Sequence, residues 1–148
     1  LEKDVPDIGE KFKDLSAPDQ YGETKSLSEF MEDLTLLQFW SSSCRFSRDM
    51  NKTLKKSYSK HQDKGFEIIS ISNDLDKSEW TKAIKEDKMN WPQLSNLEDW
   101  DGEIFSAYNI HSTPSNLLVD QDGKIVAKNI RNENLEKTLK KYLKPDDQ

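Results

Sequence analysis

Cysteine is nearly absent: Cys44 is the single one in a chain of 148 residues. One thiol excludes an internal disulfide, a cysteine-rich zinc site and a dithiol centre. Histidine is almost as scarce, and His61 and His111 lie far apart in sequence, so neither a metal nor another cofactor is expected. Hydrophobic residues make up only 33% of the chain against 34% charged. No apolar run approaches the roughly 20 residues of a membrane-spanning helix. Basic charge is in deficit, with 22 Lys and Arg against 28 Asp and Glu. A nucleic-acid partner, which needs a basic face to neutralise phosphate, is therefore not expected. Residue 1 is Leu rather than Met, so a leader or lipid anchor removed from this chain is an open expectation.

What is present is enough for one folded domain. Six Phe, four Trp and four Tyr can anchor a core despite the polar composition. Leu34–Phe39 is a short apolar run bounded by polar residues, the pattern of a buried central strand. After Ser41–Ser43 a helical pattern begins, with Phe46, Met50, Leu54 and Tyr58 spaced four apart and Lys52, Lys55, Lys56 and Lys60 between them. Gly65 stands where a left-handed cap residue is expected. Phe66–Ile71 reads as a second buried strand. Asp76 and Glu79 read as a capping pair opening a helix through Trp80, Ala83 and Ile84.

Pro92 interrupts the chain, and a further helical stretch covers Ile104–Tyr108. Ser115–Val119 and Ile125–Ala127 flank a turn sequence and predict a hairpin. Asn132 is a candidate cap for a last helix that turns Leu135, Leu139, Tyr142 and Leu143 inward and stops at Pro145. Before Leu34, residues 6–30 predict a short hairpin and turn. The expectation is one α/β domain over 1–148, a central mixed sheet with helices on both faces. Its parts are an N-terminal extension (1–33), a βαβ unit (34–72), a helical insert (73–107) and a hairpin–helix unit (108–148).

Cys44 falls where the first strand gives way to the first long helix. Unpaired N–H groups and the positive dipole end of a helix favour a thiolate, and Arg45 and Arg48 add charge in the same turn. A thiol so placed is a candidate nucleophile; a lone buried Cys acting as a small hydrophobe is the alternative. Thr113-Pro114 opens the hairpin strand, either as a cis proline or as an ordinary strand-initiating one.

These landmarks resemble the thioredoxin-like thiol-disulfide oxidoreductases of the TlpA and ResA type, within the redoxin (AhpC/TSA) superfamily. Phe39-Trp-Ser-Ser-Ser-Cys-Arg-Phe-Ser47 matches that family's Phe-Trp-Ala-Ser-Trp-Cys-x-x-Cys. Tyr108-Asn-Ile-His-Ser-Thr-Pro114 and Leu118-Val-Asp-Gln-Asp-Gly-Lys-Ile125 match its proline segment and hairpin. The resemblance implies a thioredoxin-like fold and a bacterial periplasmic or cell-envelope location. It implies catalytic positions at Cys44, Ser47 and Pro114, and substrate contacts from Trp40, Arg45, Phe46 and Thr113, with core packing an equal reading for Trp40. The partner would be a protein or small-molecule disulfide or thiol.

The active-site pattern departs from the family at several positions. Ser47 replaces the resolving Cys and Ser43 the preceding Trp. Gln38 stands where thioredoxins bury an acid, Met50 where some relatives carry Glu, and Asn51 where a Pro is common. Asp49 is the nearest acid in sequence. An engineered Cys-to-Ser trap would give the same Cys-x-x-Ser, but so many joint departures favour natural divergence.

Three functions stay open. The first is a monothiol oxidoreductase, in which an external thiol releases a mixed disulfide from Cys44. The second is a redox-inactive binding module using the Pro114 groove. The third is a thiol peroxidase, prompted by Ser41-x-x-Cys44. Trp80, Trp91 and Trp100 are expected to pack the insert, and Lys137, Lys140, Lys141 and Lys144 to form a solvated helix face.

Overall fold

A computed structural model describes residues 5–143. Eleven helices and strands order the described residues. A two-stranded antiparallel hairpin, β1 (Ser16–Pro18) and β2 (Thr24–Ser26), comes first, followed by a 3-10 turn at Leu27–Phe30. The central strand β3 (Leu34–Trp40) leads into α1 (Arg45–His61) and then β4 (Phe66–Ser72). Next come α2 (Lys77–Glu86), β5 (Gln93–Ser95) and α3 (Glu103–Ala107). The hairpin β6 (Ser115–Asp120) and β7 (Ile125–Lys128) precedes the last helix, α4 (Asn132–Tyr142).

The main sheet has the order β5-β4-β3-β6-β7. β4 runs parallel to β3 and β5, whereas β6 runs antiparallel to β3 and β7. This is the mixed sheet predicted from the sequence. It carries one strand that periodicity did not reveal: β5, within the stretch read as a helical insert. Only three residues long, β5 has polar Gln93 and Ser95 on one face, so it carries no hydrophobic alternation to read.

Because β3 alternates sides, Leu34, Leu36 and Trp40 join Phe66, Ile68 and Leu118 beneath α1, α2 and α4. Leu37 and Phe39 point the other way, with Ile69, Ile71, Leu94 and Val119, against Ile104 and Phe105 of α3 and the N-terminal Ala17 and Leu27. Both faces of the sheet are therefore covered, as a buried parallel strand requires. Across the first face runs a polar row in register, Asn116–Gln38–Ser70–Gln93, all buried.

Local signals are met to different degrees. Asp76 caps α2, accepting from the N–H groups of Ser78 and Glu79. Gly65 adopts φ +87°, and a Cβ there would lie 2.7 Å from Asp33 Oδ2, so its lack of a side chain serves both the turn and the approach.

Three expectations are corrected. Phe46 does not share the buried face of Met50, Leu54 and Tyr58 but is 71% exposed. Four-residue steps rotate by about 40° beyond a full turn, so a row of four cannot keep one heading. Asn132 is the first residue of α4, whose cap position is Arg131 with no side-chain cap bond. Tyr142 lies at the exposed border of α4, while Leu135, Leu139 and Leu143 are buried. Pro145 and Lys144 lie outside the described residues. No helix among those described is long and apolar enough to cross a membrane.

Candidate active site

Cys44 is the N-cap of α1 with extended backbone (φ −92°, ψ 115°). Its N–H donates to the Ser41 carbonyl at 3.1 Å, and its own carbonyl receives the Arg48 N–H at 3.0 Å. The Ser41–Ser43 loop is thus a tight connection between β3 and the helix. The Cys44 Sγ donates to the Thr113 carbonyl at 3.4 Å, so the segment before Pro114 closes over the thiol. The Thr113–Pro114 bond is cis.

Partial burial pushes the Cys44 thiol up. The Ser47 and Thr113 side chains, with the N–H groups of Ser47 and Phe46, outweigh that and hold it below the usual thiol value. Those two amides are the unpaired donors that a helix start offers to a cap residue. The buried Ser47 hydroxyl also accepts from the Ser41 N–H at 3.3 Å, tying the loop to the first helical turn.

The two arginines behave differently. Arg45 is exposed. Arg48, expected to add free positive charge beside the thiol, is instead committed elsewhere. Its guanidinium binds Asp87 at 2.6 and 3.1 Å, Glu86 at 2.9 Å and the Ser42 carbonyl at 3.0 Å. Asp87 accepts as well from the Asn51 amide at 2.8 Å. Asn51 in turn receives the Gln38 amide at 2.8 Å, and Gln38 accepts from Ser70 at 2.5 Å. Trp91 Nε1 completes the chain on Ser70 Oγ at 2.8 Å. The two departures at Gln38 and Asn51 therefore belong together. They form a buried network in which every member has a partner, and through the Asp87–Arg48 ion pair it runs from the core to the loop before Cys44.

An open cavity of about 360 Å³ lies at the thiol, lined by Cys44, Thr113, Asp74, Leu75, Asp99 and Trp100, with Ser41, Ser43 and Asn73. Phe46, Leu75 and Trp100 are among the few large hydrophobic side chains left exposed. Trp100 departs from the packing expectation. Its ring meets Phe105 edge-on at 5.8 Å yet stays 40% exposed, whereas Trp80 and Trp91 are buried. Trp40 is fully buried beneath the sheet and packs the core rather than facing a substrate.

Asp49, the nearest acid in sequence, is exposed on α1. Two acids reach the cavity, Asp99 and, just past the end of β4, the buried Asp74, which no spacing rule connects to Cys44. The parallel pairing of β3 and β4 through Trp40 and Ser72 brings the two loops side by side.

A cis-proline segment against a helix-capping thiol, on a five-stranded mixed sheet covered on both faces, defines a thioredoxin-like protein. Residues 8–128 match the AhpC/TSA family. The chain belongs to that family, and its likeness is to the TlpA/ResA type. The thiol-disulfide oxidoreductase ResA of Bacillus thuringiensis subsp. konkukian is 27% identical over 138 residues, 93% of this chain and 78% of that protein. The thioredoxin domain of a thiol-disulfide oxidoreductase from Bacteroides vulgatus is 34% identical. It superposes with a TM-score of 0.85 over 93% of this chain and 99% of its own. A thiol-disulfide oxidoreductase from Bacteroides fragilis is 32% identical, with a TM-score of 0.82 over 89% and 98% of the two chains.

Proposed function

We propose that this protein is a thiol-disulfide oxidoreductase working through a single thiol. The Cys44 thiolate attacks a disulfide of a protein or small-molecule partner, forming a mixed disulfide and expelling the partner's other sulfur as a thiolate. Ser47 cannot resolve the adduct, since an alcohol does not exchange with a disulfide, so an external thiol releases it. Thr113 and Pro114 flank the adduct, Phe46 offers an apolar contact, and Arg45 lies near the leaving sulfur. The same reading assigns the protein to the bacterial cell envelope, supported by its likeness to ResA.

The observation that carries the proposal is the placement of Cys44. A thiol at the start of α1, held below its usual pKa by the Ser47 and Thr113 side chains and two helix-start amides and set beside the cis Thr113–Pro114 segment, is placed to act as a nucleophile. The test is reduction of a small mixed disulfide by the protein plus excess monothiol. Turnover above that of Cys44→Ser is expected. Equal rates, together with partner binding that ignores Cys44, would return the protein to the binding-module reading.

A further inference from the structure

Single-thiol exchange moves a proton twice, once onto a sulfur and once off one. The thiolate expelled by Cys44 must gain a proton, and the external thiol that resolves the adduct must lose one before its sulfur attacks. The place where thioredoxins bury an acid is occupied by Gln38, whose amide is fully committed to Asn51 and Ser70. Asp87 is tied up in the ion pair with Arg48.

Asp74 is different. It is only 8% exposed, yet it lines the same cavity as Cys44. Its hydrogen-bond partners are all neutral: Ser42 Oγ at 2.6 Å, the Ser42 N–H at 3.2 and 3.4 Å, and Ser72 Oγ at 2.5 Å. No cation pairs with it among the described residues. The carboxylate is thus held at the wall of the thiol's cavity by hydroxyls and one amide, not by a cation. Cys44 from the start of α1 and Asp99 from the turn before α3 are the other titratable groups lining its cavity. Arg48 reaches the Ser42 carbonyl of the adjoining loop but spends its charge on Glu86 and Asp87.

We propose that Asp74 is the acid–base group of the Cys44 cavity. This rests on the single-thiol reading. In the first half-reaction the Cys44–sulfur bond forms, the substrate S–S bond breaks, and Asp74 in its protonated form gives its proton to the departing thiolate. In the second, the external thiol gives its proton to the Asp74 carboxylate. The new thiolate then attacks the partner sulfur, the mixed disulfide breaks, and the Cys44 thiolate returns. Overall one disulfide and one thiol become another disulfide and another thiol, so electrons balance and Asp74 is regenerated.

The test uses a mixed disulfide made in advance, so that it reads Asp74 even if natural turnover is absent. Cys44 is converted to its thionitrobenzoate adduct with the aromatic disulfide reagent DTNB, and release by 2-mercaptoethanol is followed against pH. In Asp74→Asn, release is expected to slow on the order of tenfold at pH values where the external thiol is protonated. The two proteins should converge where that thiol is already ionised. A ratio that stays constant across pH, or no change at all, overturns the proposal, because a merely structural loss does not depend on the thiol's own ionisation.

Asp74→Glu, which keeps a carboxylate, is expected to restore part of the low-pH rate. Should Asp74→Asn fail to fold, the wild-type adduct is compared with the adduct of a small cysteine peptide. Its relative rate should climb as pH falls, and a flat ratio there equally rejects the role of Asp74. Failure of the single-thiol reading shows separately, as wild-type turnover no greater than Cys44→Ser.

Discussion

Ser47 stands where a second thiol would resolve the mixed disulfide, but its hydroxyl serves the first thiol instead. It lowers the Cys44 thiol and receives the Ser41 N–H. Removing that hydroxyl takes away a donor to the charged form, so Ser47→Ala is expected to raise the Cys44 pKa and slow alkylation at neutral pH. Ultraviolet thiolate absorbance followed against pH checks the sign; a fall or no shift would show that the thiol is set without the Ser47 hydroxyl. The reverse experiment is Ser47→Cys. Two thiols three residues apart at a helix start should close into an intrachain disulfide under mild oxidation, removing both from a thiol titration. The variant should then resolve its own adduct without external thiol. Persistence of two free thiols after oxidation would mean that the buried position cannot reach Cys44.

Among the elements, α1 carries most of the communication. At its N-terminal end it presents Cys44; one turn in, Arg48 and Asn51 fasten it to the end of α2 through Asp87. Asn51→Ala leaves the Gln38 amide without its acceptor and Asp87 without one donor. It should cost roughly 1–3 kcal/mol in urea denaturation, and an unchanged midpoint would mean that the network re-forms around the gap.

The C-terminal end of α1 is fastened to α4 by Glu136. Its carboxylate accepts from Ser57 at 2.8 Å and meets His61 Nε2 at 2.9 Å and Lys60 Nζ at 3.3 Å. Burial pushes Glu136 up, but His61, Ser57 and Lys60 overcome it and bring the carboxyl to about 2, against 4.5 unperturbed. A depressed folded-state value means that the stabilisation is complete above pH 4.5 and is lost as pH falls towards 2. Because the side chain is 39% exposed, solvent screening reduces its worth to about 1 kcal/mol. Glu136→Gln is expected to be destabilised by that amount at neutral pH, with the gap to wild type closing between pH 4.5 and 2. A gap that stays constant across that range in acid titrations would assign the loss to packing.

For the molecule as a whole, the sheet separates two cores that share its strands but not its helices. Ile84 of α2 lies in one and Ile104 of α3 in the other. Ile84→Val and Ile104→Val should each cost about 0.5–1.5 kcal/mol. The double variant should come within about 0.5 kcal/mol of their sum, as expected for sites without common partners. A larger coupling energy would show that the strands transmit strain from face to face. This architecture also explains the site. Both loops of the cavity, Ser41–Ser43 and Asn73–Leu75, leave the same end of parallel neighbours β3 and β4. A parallel sheet gathers chain ends in this way, and it sets a buried carboxylate beside a thiol thirty positions earlier.

The order of amino acids alone specifies the strands with continuous apolar runs, the amphipathic helices, the hairpin and the place of Cys44 at a helix start. Each of these is written in local periodicity or in one turn residue. It also fixed the limit on the chemistry, because a single thiol cannot close a disulfide on its own. The tertiary structure decided the rest, where the deciding contact is long-range. Strand β5 is held by register with β4 rather than by any pattern of its own. Arg48, which by position should lend charge to the thiol, is claimed by the end of α2. Phe46 lies exposed on α1 and Trp100 exposed at the cavity while Trp40 is buried under the sheet, because position in the fold, not side-chain type, sets what the core covers. Asp74 reaches the cavity only because β3 and β4 run side by side: pairing between strands places residues that spacing along the chain leaves unrelated.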